Sequence, residues 1–191
     1  AFCRCLRYTE RNRTFVLIGG ILMENRRCKT CCFSGYRIEK MPFPADDSSA
    51  VQGLEYALDH AVREAAAWGY TRFLSGMSTG FDLWAAEAVL RARESLPIQL
   101  LCAVPYDQQA DHYPPDWKNR FNRCLLAADQ GYALSRRYYT GCFAARNRFM
   151  VSASSLLICY FDGQPGGTEQ TLRMAERDGL ATINLANRLV F

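Results

Sequence analysis

The chain has 191 residues, enough for one α/β domain with a substantial core, and its apolar (49%) and charged (22%) fractions are ordinary for a soluble globular protein. The formal net charge is +4, but residues 1–22 contain four arginines and one glutamate, which leaves +1 for residues 23–191. A nearly neutral body argues against a non-specific nucleic-acid binder, so nucleic acid is not an expected partner.

The cysteines indicate a reducing compartment. There are nine, an odd number, and Cys102, Cys124 and Cys159 lie inside apolar runs. Because disulfide frameworks normally pair an even number of cysteines in small secreted chains, reduced thiols in a cytoplasmic protein are the simpler interpretation. The apolar run at residues 14–22 is too short to span a bilayer, so no membrane association is predicted.

Residues 1–28 do not share the pattern of the rest. We interpret them as an N-terminal extension, either non-native or flexible, with Met23 as a natural start, and residues 29–191 as one domain. A zinc site is compatible with the spacing of Cys3, Cys5, Cys28, Cys31 and Cys32. Reduced structural cysteines are the favoured alternative, because adjacent residues of a strand point to opposite faces. No metal is therefore predicted.

From residue 29 onward, short apolar runs alternate with helical patterns. Strands are predicted at residues 29–34, 71–74, 97–104, 132–135, 155–161 and 181–185. Of the five intervening helices, the first has a capping box at Ser49 and Gln52, the second begins near Phe81, and the last is capped by Thr168. Six strands alternating with five helices predict an α/β fold with a mainly parallel sheet and right-handed crossovers.

Two glycine loops follow predicted strands. Residues 74–90, LSGMSTGFDLWAAEAVL, pass from a strand through Gly76 and Gly80 into an apolar helix, and DGQPGGT follows the fifth strand. The N–H groups at a helix N-terminus lack intrahelical partners and favour anions. Ligands of open parallel sheets bind beyond the carboxyl ends of the strands. We therefore expect both loops, with Gly35-Tyr36-Arg37 after the first strand, to form one anion-binding pocket.

The blocks CCFSGYR, LSGMSTGFDLWAAEAVL, ARNRFMVSASSLLICYFDG and PGGT resemble the YpsA family of the SLOG superfamily, which also contains the DprA/Smf proteins and the LOG phosphoribohydrolases. The resemblance covers roughly residues 28–186. It implies a Rossmann-like three-layer α/β/α sandwich with about six strands, and a site for a nucleotide-like small-molecule ligand. Superfamily members are often dimers, so a homodimer is compatible with it. No cofactor is predicted.

The resemblance also implies site residues. Asp82 matches the acidic residue after the first glycine loop, and Arg146 occupies a basic position that serves the catalytic site in LOG enzymes. The PGG-type phosphate loop is shortened here, so Glu169 does not inherit the place of the LOG catalytic glutamate. In the loop after the first strand, Tyr36 and Ile38 replace the His and Pro of a GHRP sequence. The expected ligand-binding residues are Gly35, Arg37, Gly76, Met77, Ser78, Thr79, Gly80, Asp82, Arg146, Asn147, Gly166, Gly167, Thr168 and Glu169.

Three functions remain open at this point. The leading hypothesis is a nucleotide-ligand-binding protein that acts as a sensor or regulator. The alternative is a LOG-like hydrolase of the N-glycosidic bond of a nucleoside monophosphate, with Glu169, Arg146 and Asp82 as candidate catalytic residues. Single-stranded DNA binding, by analogy with DprA, has less support from the charge. Asp82 and Glu169 also have a structural interpretation, as acids in the first turn of a helix.

Overall fold

A computed structural model describes residues 27–188 together with the backbone of two short strands at residues 5–9 and 14–18. Residues 1–4, 10–13, 19–26 and 189–191 lie outside the described part, and so do the side chains of the two short strands. The interpretation of Met23 as a start, and the side chains of Cys3 and Cys5, therefore fall outside the described residues.

A single sheet of eight strands runs through the described structure, in the order β2-β1-β6-β5-β4-β3-β7-β8. The strands are β1 (Cys5–Thr9), β2 (Thr14–Ile18), β3 (Thr30–Ser34), β4 (Arg72–Ser75), β5 (Gln99–Val104), β6 (Gln130–Ala133), β7 (Leu156–Cys159) and β8 (Ala181–Asn184). All neighbours from β3 to β8 pair in parallel, which confirms the predicted sheet. The hairpin of β1 and β2 extends it beyond β6 with antiparallel pairing, which the sequence did not predict.

Helices cover both faces of the sheet and give the predicted three layers. They are α1 (Ser48–Ala67), α2 (Phe81–Arg93), α3 (Pro115–Ala127), α4 (Cys142–Ser152) and α5 (Gly167–Arg177). One core contains Leu54 of α1, Trp84 of α2 and Phe121 of α3, packed on the sheet face that carries Phe33. The other core contains residues of α4 and α5. The Rossmann-like sandwich expected from the sequence is thus confirmed.

Some boundaries differ from the predicted ones. Asp47, not Ser49, caps α1, because its side chain accepts hydrogen bonds from the N–H groups of Ser49 and Ala50. Thr168 lies inside α5, and Gly166 takes the N-cap position. Strand β6 begins two residues before the predicted position, since Gln130 and Gly131 pair with β5 although they carry no apolar signal.

The two adjacent cysteines of β3 are buried on opposite faces of the sheet. Cys31 belongs to the core beneath α1 and α2, and Cys32 to the core beneath α4 and α5. Since their side chains point apart, they do not serve as ligands of the same ion. In the part of the chain that the structure describes, no group of three or more histidine, cysteine or acidic side chains is placed to hold a metal.

The strand order places a crevice beside β3. From β3 the chain builds outward through β4, β5 and β6, and then crosses to the other side of β3 to form β7 and β8. The loops that follow β3 and β7 therefore diverge at the carboxyl edge of the sheet, which is where open α/β sheets bind ligands. None of the helices described is long and apolar enough for a membrane span.

Candidate functional site

A cavity of about 300 Å³ lies at this reversal of strand order. Its walls are the loop after β3, the start of α2, the first turns of α4 and the loop before α5. Nine of the residues predicted from the sequence line it: Gly35, Arg37, Ser78, Asp82, Arg146, Asn147, Gly166, Gly167 and Thr168. The structure thus brings together residues that are up to 133 positions apart in the chain.

The other predicted residues do not line the cavity. Gly76, Met77, Thr79 and Gly80 lie behind its wall, where Met77 and Thr79 are buried. Glu169 is half-buried, outside the cavity lining, and its carboxylate pairs with Arg173 one turn further along α5, at 2.6 Å. Glu169 lies in the first turn of α5.

Asp82 and Arg146 form a buried ion pair in the cavity wall. Both residues are only 5% exposed, and Arg146 Nη1 lies 3.6 Å from Asp82 Oδ2. Burial raises the pKa of Asp82, an effect opposed by the charge of Arg146 and by the Ser78 N–H. Burial likewise lowers the pKa of Arg146, and the charge of Asp82 opposes it. Within the described structure, Asp82 Oδ1 and Arg146 Nε have no hydrogen-bond partner.

The loop after β4 holds Arg146 in place. Arg146 Nη1 donates to the carbonyl of Gly76, and Nη2 donates to Ser78 Oγ at 3.2 Å. A Cβ at position 76 would overlap Nη1 and lie 2.7 Å from Asp82 Oδ2, so glycine is required by the approach of the guanidinium. The first glycine loop is therefore filled by protein groups, and it supports the pair rather than leaving an open cradle.

The next residue of this loop, Met77, has a strained backbone. Its φ is +60°, which is uncommon for a residue other than glycine. Two side chains from the segment after β5 fix its peptide: Gln109 Nε2 donates to the Met77 carbonyl at 3.0 Å, and the Tyr113 hydroxyl donates to it at 3.2 Å. These contacts hold the loop in addition to those of Arg146.

The loop before α5 is open by comparison. Gly166 has φ +154° and ψ −154°, a region that only glycine adopts readily. It occupies the N-cap position of α5, and no side chain caps the helix there. Gly166, Gly167 and Thr168 all line the cavity, and they lie at the end of α5 where the first N–H groups lack intrahelical partners. Lys40 Nζ lies 3.5 Å from the position that a Cβ on Gly166 would take.

Tyr36 connects the two loops that flank the cavity, a role that the sequence did not reveal. Its hydroxyl donates to Asp162 Oδ1 at 2.7 Å and accepts from the N–H groups of Asp162 and Gln164. Burial and the hydrogen bond to Asp162 raise the pKa of Tyr36 to about 12. Tyr36, which stands at the histidine position of the GHRP sequence, therefore anchors the loop before α5.

Asn147 acts on the same loop from α4. Its Nδ2 donates to Thr171 Oγ1 at 2.9 Å, and Thr171 Oγ1 donates to the carbonyl of Gly167 at 2.8 Å. This chain of hydrogen bonds fixes the first turn of α5 against α4. Asn147 therefore lines the cavity and also orients the wall that the start of α5 forms.

Six lining residues were absent from the expected set: Phe33, Ser34, Tyr36, Lys40, Phe143 and Pro165. For two of them, the spacing from a predicted residue could have indicated a place at the site. Phe143 lies three residues before Arg146 on one helix and thus shares its face, and Lys40 lies three residues after Arg37 in a 3₁₀ turn. With Lys40 included, the lining carries three cationic side chains and one carboxylate.

The fold and the position of this cavity define a Rossmann-like α/β protein whose candidate ligand site is at the strand-order switch. A sequence model of YpsA, described as the YspA SLOG family, matches residues 31–182, and the chain belongs to that family.

Curated relatives are similar over most of the chain. UPF0398 protein OB1025 of Oceanobacillus iheyensis is 24% identical over 156 residues, which cover 78% of this chain and 85% of the relative. UPF0398 protein BH1768 of Halalkalibacterium halodurans is 25% identical over 153 residues, which cover 78% and 81%. Both relatives therefore share the domain almost in full.

Solved structures of DNA processing protein A have the same fold. The Streptococcus pneumoniae protein aligns with a TM-score of 0.58 and 16% identity, over 81% of this chain and 49% of its own length. The Helicobacter pylori protein, whose structure concerns its single-stranded DNA binding mode, aligns with a TM-score of 0.59 and 16% identity, over 82% of this chain and 64% of its own. The chain thus spans about half to two thirds of these proteins.

Proposed function

We propose that this protein binds a nucleotide or a nucleotide-derived ligand in the cavity beside β3. The observation that carries the proposal is that three features line one cavity. They are the uncapped start of α5, the two exposed cationic side chains of Arg37 and Lys40, and the buried carboxylate of Asp82. A phosphate needs positive charge and N–H donors, whereas a sugar hydroxyl or a base N–H needs an acceptor, and this lining offers both kinds of partner.

The phosphate belongs at the start of α5. Backbone N–H groups at a helix N-terminus and the helix dipole both favour an anion, and Gly166, Gly167 and Thr168 line the cavity at the start of α5. Lys40 lies beside Gly166 and adds a positive charge. Asp82 would repel a phosphate, so the anion is expected at the end of the cavity away from Asp82.

Asp82 suits the sugar or the base. Its carboxylate lines the cavity and, when ionised, only accepts hydrogen bonds, and a ribose hydroxyl or a base N–H supplies a donor. The volume of about 300 Å³ is at the lower end of the range for small-molecule sites, which favours a ligand of mononucleotide size within the cavity.

Binding is better supported than glycosidic hydrolysis. Most glycoside hydrolases use two carboxylates that flank the bond to be cleaved. Asp82 is the one carboxylate that lines the cavity in the described structure, and Glu169 is paired with Arg173 outside it. The lining therefore lacks an acid/base pair, and we propose a sensor or regulatory role for the bound ligand.

The first test is thermal stability with a panel of nucleotides, NAD derivatives, ADP-ribose and cyclic nucleotides. A ligand at a hundred to a thousand times its Kd stabilises the native state by roughly 2.7–4.1 kcal/mol, so at least one member should raise the melting temperature clearly. A single-stranded oligonucleotide belongs in the panel because of the fold shared with the Helicobacter protein. If only the oligonucleotide stabilises the protein, the proposal fails.

The second test compares two lysines. Lys40 lines the cavity, whereas the exposed Lys29 directly precedes β3 at the opposite edge of the sheet. Both Lys→Ala changes remove one charge, so non-specific electrostatic effects are matched. For the ligand found in the panel, Lys40→Ala should weaken binding about three- to tenfold at low salt, and Lys29→Ala should leave it unchanged. Equal losses in the two variants would contradict a phosphate site beside Lys40.

A further inference from the structure

A row of aromatic side chains leads from the cavity onto the surface. Phe143 lines the cavity, the ring of Tyr106 lies 6.2 Å from it, and the ring of Tyr138 lies 5.7 Å from Tyr106, both in edge-to-face contact. Tyr139 follows Tyr138 in the chain. We call these four residues the aromatic strip. Arg37 joins the strip to the cavity, because it lines the cavity and its guanidinium lies 4.7 Å from the centroid of Phe143.

The outer end of the strip is exposed and flanked by positive charge. Tyr138 is 61% exposed and Tyr139 is 45% exposed, and the neighbouring Arg136 and Arg137 are exposed as well. Neither arginine has an ion pair within 4 Å in the described structure. Exposed large aromatic side chains beside arginines are typical of surfaces on which a nucleobase stacks.

The turn that carries these residues is ordered by Ser135. Its hydroxyl donates to the carbonyl of Arg137 at 2.8 Å and accepts from the Arg137 N–H at 3.2 Å. The Asp107 N–H also donates to the carbonyl of Ser135, which ties the turn to the segment after β5. The base of the turn is therefore fixed, although Tyr138 and Tyr139 face solvent.

We propose that the aromatic strip is a second base subsite and that the ligand is a dinucleotide, two nucleosides joined through phosphates. This inference rests on the proposed function. One nucleoside occupies the cavity near Asp82, the phosphates lie between the start of α5 and Arg37, and the second base stacks on Tyr138. The positions of Arg37 and Phe143 support this order. Both line the cavity, Phe143 is the inner end of the strip, and Arg37 lies over its ring.

A dinucleotide fits better than a nucleic-acid strand. A strand is held mainly by many phosphate contacts, which require a strongly basic surface. Residues 23–191 carry a net charge of only +1, and the strip offers two exposed rings. The positive charge is therefore enough for the phosphates of a short ligand and too small for a long strand.

The decisive experiment compares ligands that differ in the second nucleoside, which also esterifies the terminal phosphate and removes one negative charge. Binding of ADP and of diadenosine diphosphate is measured by calorimetry, together with GDP and diguanosine diphosphate in case the site prefers guanine. One of the dinucleotides should bind about tenfold more tightly than its nucleoside diphosphate. Tyr138→Ala should remove that gain and leave the nucleoside diphosphate unchanged, because each stacked base contributes severalfold or more to affinity. Tyr138→Phe should retain it.

Tyr56→Ala is the matched control, since Tyr56 is 76% exposed on α1 and does not belong to the strip. Equal affinities for a dinucleotide and its nucleoside diphosphate, unchanged in Tyr138→Ala, would overturn the second subsite and leave the proposed function intact. Binding of neither pair would contradict the second subsite, and the proposed function would fail as well if no nucleotide of the stability panel bound. If a 15-residue oligothymidylate binds more tightly than either dinucleotide, and Tyr138→Ala weakens that binding, the strip serves a strand and the inference is wrong.

Discussion

Arg146 occupies the space that a side chain at position 76 would need. Its guanidinium donates to the carbonyl of Gly76, although the two residues are 70 positions apart in the chain. The glycine after β4 is thus present to admit an arginine from α4, which in turn pairs with Asp82. Gly76 thus supports, from behind, the part of the cavity wall that Asp82 and Arg146 form.

Gly76→Ala should therefore displace Arg146. We expect a loss of about 1–3 kcal/mol in the free energy of unfolding, because overpacking in a buried site costs this much, and a clear loss of ligand affinity. Gly53→Ala is the control, since nothing lies within 4 Å of the added Cβ and Gly53 is inside α1. It should stabilise the protein by about 1 kcal/mol through helix propensity. Urea denaturation measures the unfolding free energy of both variants. A Gly76→Ala variant as stable as the wild type would refute the packing argument.

Tyr36→Phe should loosen the loop before α5. The change removes the hydroxyl that bonds Asp162 and Gln164, and we expect the unfolding free energy to fall by about 1–3 kcal/mol. Tyr56→Phe, at an exposed position, should change it by less than about 0.5 kcal/mol. Hydrogen exchange at residues 162–168 measures the loop directly. Unaltered exchange there in Tyr36→Phe would contradict the anchoring role of the hydroxyl.

The raised pKa of Asp82 predicts a pH dependence of stability. Between the unfolded pKa, near 3.9, and the higher native pKa, the native state binds more protons than the unfolded state. The contribution of Asp82 to stability is therefore fully present below the unfolded pKa and is lost as the pH rises through the native pKa. In urea denaturation, the stability of Asp82→Asn relative to the wild type should rise with pH above about 4 and level off above the native pKa of Asp82. A relative loss over this range would mean that Arg146 outweighs burial.

The buried thiols should resist alkylation. Burial raises the pKa of Cys32, Cys124 and Cys159 to about 12, so hardly any thiolate forms at pH 8. Cys28 is exposed and should react with iodoacetamide at least tenfold faster. Peptide mass spectrometry reports each site separately, and denaturant should equalise the rates. Rapid labelling of Cys32 in the folded protein would show that the sheet faces are not closed as described.

The sequence predicted the elements and most of the residues around the cavity, because both depend on local pattern. The alternation of apolar runs located the six parallel strands. Because the glycine loops directly follow strands, the sequence also indicated the edge of the sheet at which these loops meet. Asp82 and Arg146 were named as separate candidates. Their pairing depends on the packing of α4 against the loop after β4, which no local pattern encodes.

Other features were missed for the same physical reason. The hydrogen bonds of Tyr36 join loops that are 126 residues apart, and the strained backbone of Met77 is held by hydrogen bonds from the distant Gln109 and Tyr113 to its carbonyl. The sequence also treated the two glycine loops as equivalent. In the structure one is filled by Arg146, and the other is left uncapped and open. Tertiary contacts decided which loop remained available.

The most direct measurement is an NMR titration of backbone amides with ADP or with the ligand that the stability panel identifies. The N–H groups of Gly167 and Thr168 should show the largest saturable shifts, because the phosphate is expected at the start of α5. Inorganic phosphate should shift the same two amides at higher concentration. If a ligand binds while these two amides do not move, the phosphate site is elsewhere and the central claim is wrong.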